Sequence, residues 1–197
     1  MAKQTKKLTN RQQVNRINKW LNLATKQDIA QGLSWYSDAQ KLCVELATKY
    51  DVSLSQVAQV TSVLSPQKKW DTNKLEVKAL FLQIFEGIKP SFSYFATKKQ
   101  LKECRQIILG DFSIPAKRIK TFSFADNIAN VDSVEVTVDR HALRVAYDDK
   151  TAKLDKVSLT QYKAAREAYN TVAIQHGLKP YQVQAITWCV YKRVVNR

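Results

Sequence analysis

Two ionisable residues stand nineteen positions apart near the middle of the chain. Lys120 ends the run Ile114-Pro115-Ala116-Lys117-Arg118-Ile119-Lys120, and Asp139 lies inside Val138-Asp139-Arg140-His141-Ala142-Leu143-Arg144-Val145. An amine on a helix that follows a turn, and a carboxylate that opens the next helix, can serve one reacting carbon as nucleophile and counter-charge. Cleavage of an N-glycosidic bond suits such a pair. Positive charge builds on the sugar as the base departs, so a fixed carboxylate beside C1′ lowers the barrier. A neutral amine can attack the same carbon and form a Schiff base, and burial beside Lys117 and Arg118 would favour neutrality. Each residue also has a plainer reading: Asp139 as a helix N-cap, and Lys120 as a surface cation on a phosphate.

The elements that must position these residues are helical. Four Gly and four Pro punctuate the 197 residues, and between them apolar residues recur at helical spacing, which predicts an all-α fold. Helices are expected at about Thr9–Thr25, Ser34–Tyr50, Ser53–Leu64, Thr72–Glu86, Thr97–Leu109, Pro115–Ile128, Asp139–Tyr147, Ser158–His176 and Pro180–Val195. Ser53 is placed as an N-cap, Gly87 and Gly177 as left-handed residues at helix ends, and Pro115 and Pro180 in first turns. The β-like run Val131–Val138 is expected as an extended connection or short hairpin. Residues 1–8 read as a basic tail, and residues 9–197 as one helical domain or a pair of intimate helical lobes.

With 32 Lys and Arg against 17 Asp and Glu, the net charge is +15, which favours a polyanionic partner. Lys3, Lys6, Lys7, Arg11, Arg16 and Lys19 precede any acidic residue, and seven basic residues lie between Lys98 and Lys120 against only Glu103 and Asp111. The second cluster adjoins the candidate chemistry and is the better phosphate contact, with Lys98, Lys99, Lys117 and Arg118 as expected DNA-binding residues. Cys43, Cys104 and Cys189 are scattered and odd in number, and His141 and His176 have no companion at ligand spacing. Neither a disulfide framework nor a metal site is readable, and no cofactor is expected. No apolar signal-peptide core follows the basic start, and no stretch approaches the ~18 apolar residues that cross a bilayer. A monomeric, cytoplasmic protein without membrane contact is expected.

Three segments together resemble the helix-hairpin-helix DNA glycosylase superfamily, the group containing endonuclease III and 8-oxoguanine glycosylase. Leu64-Ser65-Pro66-Gln67, with Asn73-Lys74 beyond it, is similar to the Leu-Ser-Ala-Gln stretch of endonuclease III. Ile114-Pro115-Ala116-Lys117-Arg118-Ile119-Lys120 is similar to the hairpin Leu-Pro-Gly-x-Gly-x-Lys, and Val138-Asp139-Arg140-His141 with Arg144-Val145 to Val-Asp-x-His-x-x-Arg-Val. Both hairpin glycines are replaced, by Ala116 and Arg118, and the iron-sulfur cysteines of endonuclease III have no counterpart. The likeness spans about Leu64 to Val145.

The resemblance implies a base-excising enzyme of DNA, with Asp139 beside the sugar and Lys120 as the nucleophile of an associated lyase step. It further implies that Gln67 fills the space left by an extruded base. Trp70, and the pair Trp35-Tyr36, are aromatics that could stack on that base or wedge the duplex, or be core. His141 is expected to hold the Asp139 turn. The alternatives are a non-catalytic DNA-binding protein on the same scaffold and, from charge alone, an RNA-binding or nucleoprotein packaging factor.

Overall fold

A computed structural model describes residues 8–149 and 157–195. Lys3, Lys6 and Lys7 of the expected basic tail lie outside the described residues. Nine helices form among those described: α1 Asn10–Leu21, α2 Lys26–Tyr50, α3 Leu54–Leu64, α4 Trp70–Phe85, α5 Lys98–Ile108, α6 Ile119–Ala129, α7 Arg140–Tyr147, α8 Leu159–His176 and α9 Pro180–Val195. No strand occurs among the described residues, so the fold is all-α. Val131–Val138 is an extended connection, not a hairpin.

The starts of these helices follow from local chemistry. Four of them, α1, α3, α5 and α8, open with a reciprocal box in which Thr9, Ser53, Thr97 or Ser158 accepts the N–H of a Gln three residues on. The Gln side chain returns to the cap N–H. Each box satisfies two otherwise orphaned donors and sets the helix start to the residue. α8 ends where Gly177 takes a left-handed conformation.

α1 ends at Leu21, not Thr25, and two helix starts differ more instructively from the sequence expectation. α2 begins at Lys26, not Ser34, and runs through Gly32. Thr25 and Asp28 exchange side-chain bonds across its start, with Thr25 N–H donating to Asp28 Oδ2 at 2.9 Å and Asp28 N–H to Thr25 Oγ1 at 3.2 Å. Gly32 costs helix propensity but is required by packing, since a Cβ there would stand 2.5 Å from the Ile186 Cα. α6 begins at Ile119, not Pro115. The Arg118 N–H donates to the Pro115 carbonyl at 2.9 Å, so the proline heads a turn in front of the helix.

The chain divides into two compact units, one of Met1–Tyr36 with Asp132–Arg197 and the other of Ser37–Val131, with the division falling inside α2. In the first unit α1, α7, α8 and α9 pack on one another around Ile17, Leu143, Tyr169, Val172 and Ile186. Tyr36 is buried in that core, with its ring 5.2 Å from that of Tyr181. It is therefore not a free stacking surface. In the second unit α3 is central, packed by α4, α5 and α6 around Val57, Leu64, Leu80, Phe81, Ile107 and Ile128. No helix among the described residues is long and apolar enough to cross a membrane.

Candidate functional site

Asp139 is the N-cap of α7, held in extended backbone conformation, and its Oδ1 accepts the Ala142 N–H at 2.7 Å. The strand-like approach to it is pinned from α8: the Tyr162 hydroxyl donates to the Val136 carbonyl at 2.6 Å and accepts the Val138 N–H at 3.3 Å. Val136 and Val138 are fully buried, whereas Asp139 is half-buried at the point where the chain turns into the helix. Behind α7, the Tyr169 hydroxyl donates to the Ala142 carbonyl at 3.2 Å. Burial pushes the phenols of Tyr36 and Tyr169 far above the ordinary tyrosine value, and the Asp139 charge adds to both shifts. Both phenols therefore stay protonated, the Tyr36 hydroxyl donating to Gln184 Oε1 at 3.2 Å. One of the Asp139 oxygens is used by the cap, and Oδ2 has no hydrogen bond among the described residues.

His141, expected to hold this turn, is fixed by ring packing. Its ring packs 5.3 Å from that of Tyr191, and Nδ1 is buried with no hydrogen-bond partner among the described residues. Burial holds its pKa below the usual histidine value, with Arg140, Arg144 and Lys192 adding to the shift and Asp139 opposing it. The imidazole is neutral at pH 7, so Asp139 is the anionic partner of no imidazolium.

Lys120 belongs to the second unit, in the first turn of α6, while Asp139 belongs to the first. The burial expected to neutralise the amine is absent: Lys120 is exposed and forms no ion pair among the described residues. Lys117 is likewise exposed and unpaired among them. Arg118 is different, because its guanidinium pairs with Glu103 of α5. The pair, made by an arginine expected on phosphate, ties α5 to the turn before α6.

That pair is one of several side-chain bonds that fix this connection. Gln59 of α3 accepts the Ile114 N–H at 2.6 Å and the Ser113 hydroxyl at 3.1 Å, while Gln56 donates to the carbonyls of Ile107 and Ile108 at 3.0 Å each. Ser62 donates to the Thr121 carbonyl at 2.7 Å. The connection from α5 to α6 is therefore fixed by side chains of α3, with no left-handed glycine needed between Ile114 and Lys120.

Lys98 and Lys99 occupy the first turn of α5, exposed and without ion pairs among the described residues, with Lys102 and Arg105 continuing the exposed face. Cations at a helix N-terminus oppose the macrodipole. Their position is thus unfavourable for the helix itself.

Gln67 is exposed on the turn after α3 and holds a left-handed backbone, φ 60°. The Lys68 N–H closes that turn on the Ser65 carbonyl at 3.3 Å. Gln67 lines a surface hollow of about 250 Å³ with Pro66, Lys68, Lys69, Thr72 and Phe95. Trp70, the expected aromatic, is half-buried at the start of α4 and is not part of that lining. Trp35 is half-buried against Trp188, ring centroids 6.5 Å apart. Sequence reasoning missed Phe95, which is 78% exposed. The available signal was the run Phe92-Ser93-Tyr94-Phe95, an aromatic cluster placed just before the Thr97 cap rather than within a helix.

Burial pushes the thiols of Cys43 and Cys189 up to about 11 and that of Cys104 to about 12, which disfavours their thiolates at neutral pH. No group of three metal-ligating side chains occurs among the described residues. The chain belongs to the family of unknown function DUF7178, whose model matches residues 1–195. No curated protein and no solved structure matches it.

Proposed function

We propose that this DUF7178 member is a monomeric intracellular DNA glycosylase that removes a damaged or modified base from duplex DNA and then cleaves the abasic strand through Lys120. One observation carries the reading: a half-buried carboxylate, Asp139, is fixed by the α7 cap through Oδ1 and leaves Oδ2 without a hydrogen bond among the described residues. An N-cap that served only the helix could be Ser, Thr or Asn equally well. The motif likeness supplies the substrate class.

In this reading Asp139 opposes the positive charge that grows on the sugar as the N-glycosidic bond breaks and the base leaves with the bonding electrons. The neutral Lys120 amine bonds to C1′ as the base departs and gives up a proton; the C1′–O4′ bond then breaks, O4′ takes up a proton, and the nitrogen lone pair forms the imine. Loss of a C2′ proton then expels the 3′ phosphate, and water releases the enzyme. Exposure of Lys120 in the free protein places its desolvation at the moment DNA docks. Lys98, Lys99, Lys102, Arg105 and Lys117 supply phosphate contacts, positioning the duplex without reading sequence. Gln67 enters the vacated stack.

A second reading is favoured by the same exposure of Lys120: a DNA-binding protein on this scaffold without lyase chemistry. Incubation with oligonucleotides bearing an abasic site or single oxidised, alkylated or deaminated bases, followed by borohydride reduction, separates the two. A covalent adduct and strand scission support the enzyme. Salt-dependent binding with no base release and no adduct leaves the binding module.

A further inference from the structure

Glu76 of α4 is fully buried, and each of its carboxylate oxygens serves a different surface segment. Oε2 accepts from the Lys68 ammonium, whose side chain is 5% exposed, and Oε1 accepts the backbone N–H of Phe95. Lys68 directly follows Gln67 in the left-handed turn, and Phe95 stands at the tip of the segment leading to the Thr97 cap. Gln67 and Phe95, one from each segment, both line the same hollow. Phe95 is 78% exposed. An aromatic so exposed on a backbone this firmly tied is not explained by core packing.

The energetics of buried ion pairs sharpen the point. Desolvating both charges offsets most of their attraction, and an apolar pair of similar volume commonly stabilises a fold as well or better. What an apolar pair cannot do is hold two separate loops by directed bonds. We propose that Glu76 is a positioning residue, which with Lys68 locks the Gln67 turn and the Phe95 segment into one two-pronged rim that meets an unstacked base step of duplex DNA. The inference rests on the glycosylase reading and deepens it. The amide of Gln67 offers hydrogen bonds to an orphaned base edge, and the ring of Phe95 stacks on the neighbouring base, a contact open to any sequence. Lys69, exposed on the same lining, lies beside the phosphates of that step.

The test uses the full chain and a duplex with 2-aminopurine beside a tetrahydrofuran abasic site, since the probe brightens when it unstacks. Glu76→Gln leaves the Lys68 charge buried without its counter-ion and is expected to lower stability, so the deciding variant is Lys68→Met with Glu76→Leu, which keeps volume and removes both charges. The double variant is expected to melt within a few degrees of the parent. Its Phe95 amide should exchange about tenfold faster, the loss of one charge-assisted hydrogen bond. The brightening should fall to the level of a Gln67→Ala, Phe95→Ala protein, with the salt slope on undamaged duplex unchanged. Full brightening by the double variant overturns the proposal, as does an unaltered Phe95 exchange rate. A parent protein that is trapped on abasic DNA yet leaves the probe dark overturns the rim alone. A parent that brightens the probe through Glu76 but never traps supports the rim and removes the excision chemistry.

Discussion

Asp139→Asn separates a cap from a catalytic carboxylate because asparagine does the first task and not the second. The Oδ1 bond to the Ala142 N–H, 2.7 Å, is one that an Asn side chain can make, and Asn and Asp are about equal as N-caps. What is lost for folding is the favourable charge at the α7 N-terminus, about 0.3–1 kcal/mol. In a chain of this size that lowers the melting temperature by roughly 1–4 °C. For catalysis the loss is of the charge facing the developing oxocarbenium ion. Removing one preorganised electrostatic contact of this kind costs about 2.7–4 kcal/mol, a hundredfold to thousandfold in rate. Single-turnover release of base from whichever lesion the parent processes, measured beside a thermal melt, reads both quantities on one preparation. Activity within about threefold of the parent refutes the assignment, since less than ~1 kcal/mol would then separate the two side chains at the transition state. A melting temperature that falls by much more than the cap estimate, with activity falling in proportion, returns Asp139 to a structural role.

Lys120→Gln is expected to abolish the borohydride adduct while duplex affinity falls by less than about tenfold, because the other cations still hold the backbone; an adduct that persists places the nucleophile elsewhere. Duplex affinity should fall with salt along a log–log slope of roughly −4 to −5, for about five phosphate contacts. Lys99→Ala should flatten that slope by about 0.9, but Arg118→Ala should leave it nearly unchanged and lower the melting temperature, since Arg118 is engaged by Glu103. Equal slopes for the two variants would show that the pair opens on DNA. His141 gives the pH signature: its folded pKa is depressed, so the unfolded chain binds the extra proton first. The stability it contributes is therefore present above the usual histidine value and is lost as pH falls through the folded one. Melting temperature should decline on acidification from about pH 7.5 to 5.5, and His141→Gln should flatten that decline; an unchanged profile assigns the titration to another group.

The helical fold was legible wherever the information is local. Ser53, Thr97 and Ser158 mark helix starts because a hydroxyl, a three-residue spacing and a glutamine suffice to make the box. The long α2 was not legible, because Gly32 lowers helix propensity and only the approach of Ile186, far along the chain, explains why a glycine belongs there. Pro115 shows the same limit, since a proline suits a first helical turn and a turn ahead of one equally, and the Arg118 N–H decides between them.

The site divides along the same line. The cap role of Asp139 is written in its neighbours, whereas the fate of Arg118 depends on Glu103, fifteen residues back on another helix, which no spacing rule marks as a partner. Lys68 and Glu76 are eight apart, one ahead of the α4 cap and the other inside the helix, so neither helical nor strand periodicity pairs them. These non-local bonds bear directly on the departures from the glycosylase hairpin. Glycine is needed in a hairpin when the backbone must turn left-handed unaided. Here Gln59 receives the Ile114 N–H and Arg118 ties the turn to α5, so the connection keeps its course with ordinary residues at Ala116 and Arg118. Under the proposed function the consequence is chemical as well as structural: an arginine engaged by Glu103 is withheld from phosphate, and holding DNA would fall to Lys117, Lys120 and the exposed face of α5. A quintuple exchange of Lys98, Lys99, Lys102, Arg105 and Lys117 for Gln, with Arg118 intact, is then the variant that should lose duplex binding while the fold, and the hairpin braces within it, remain.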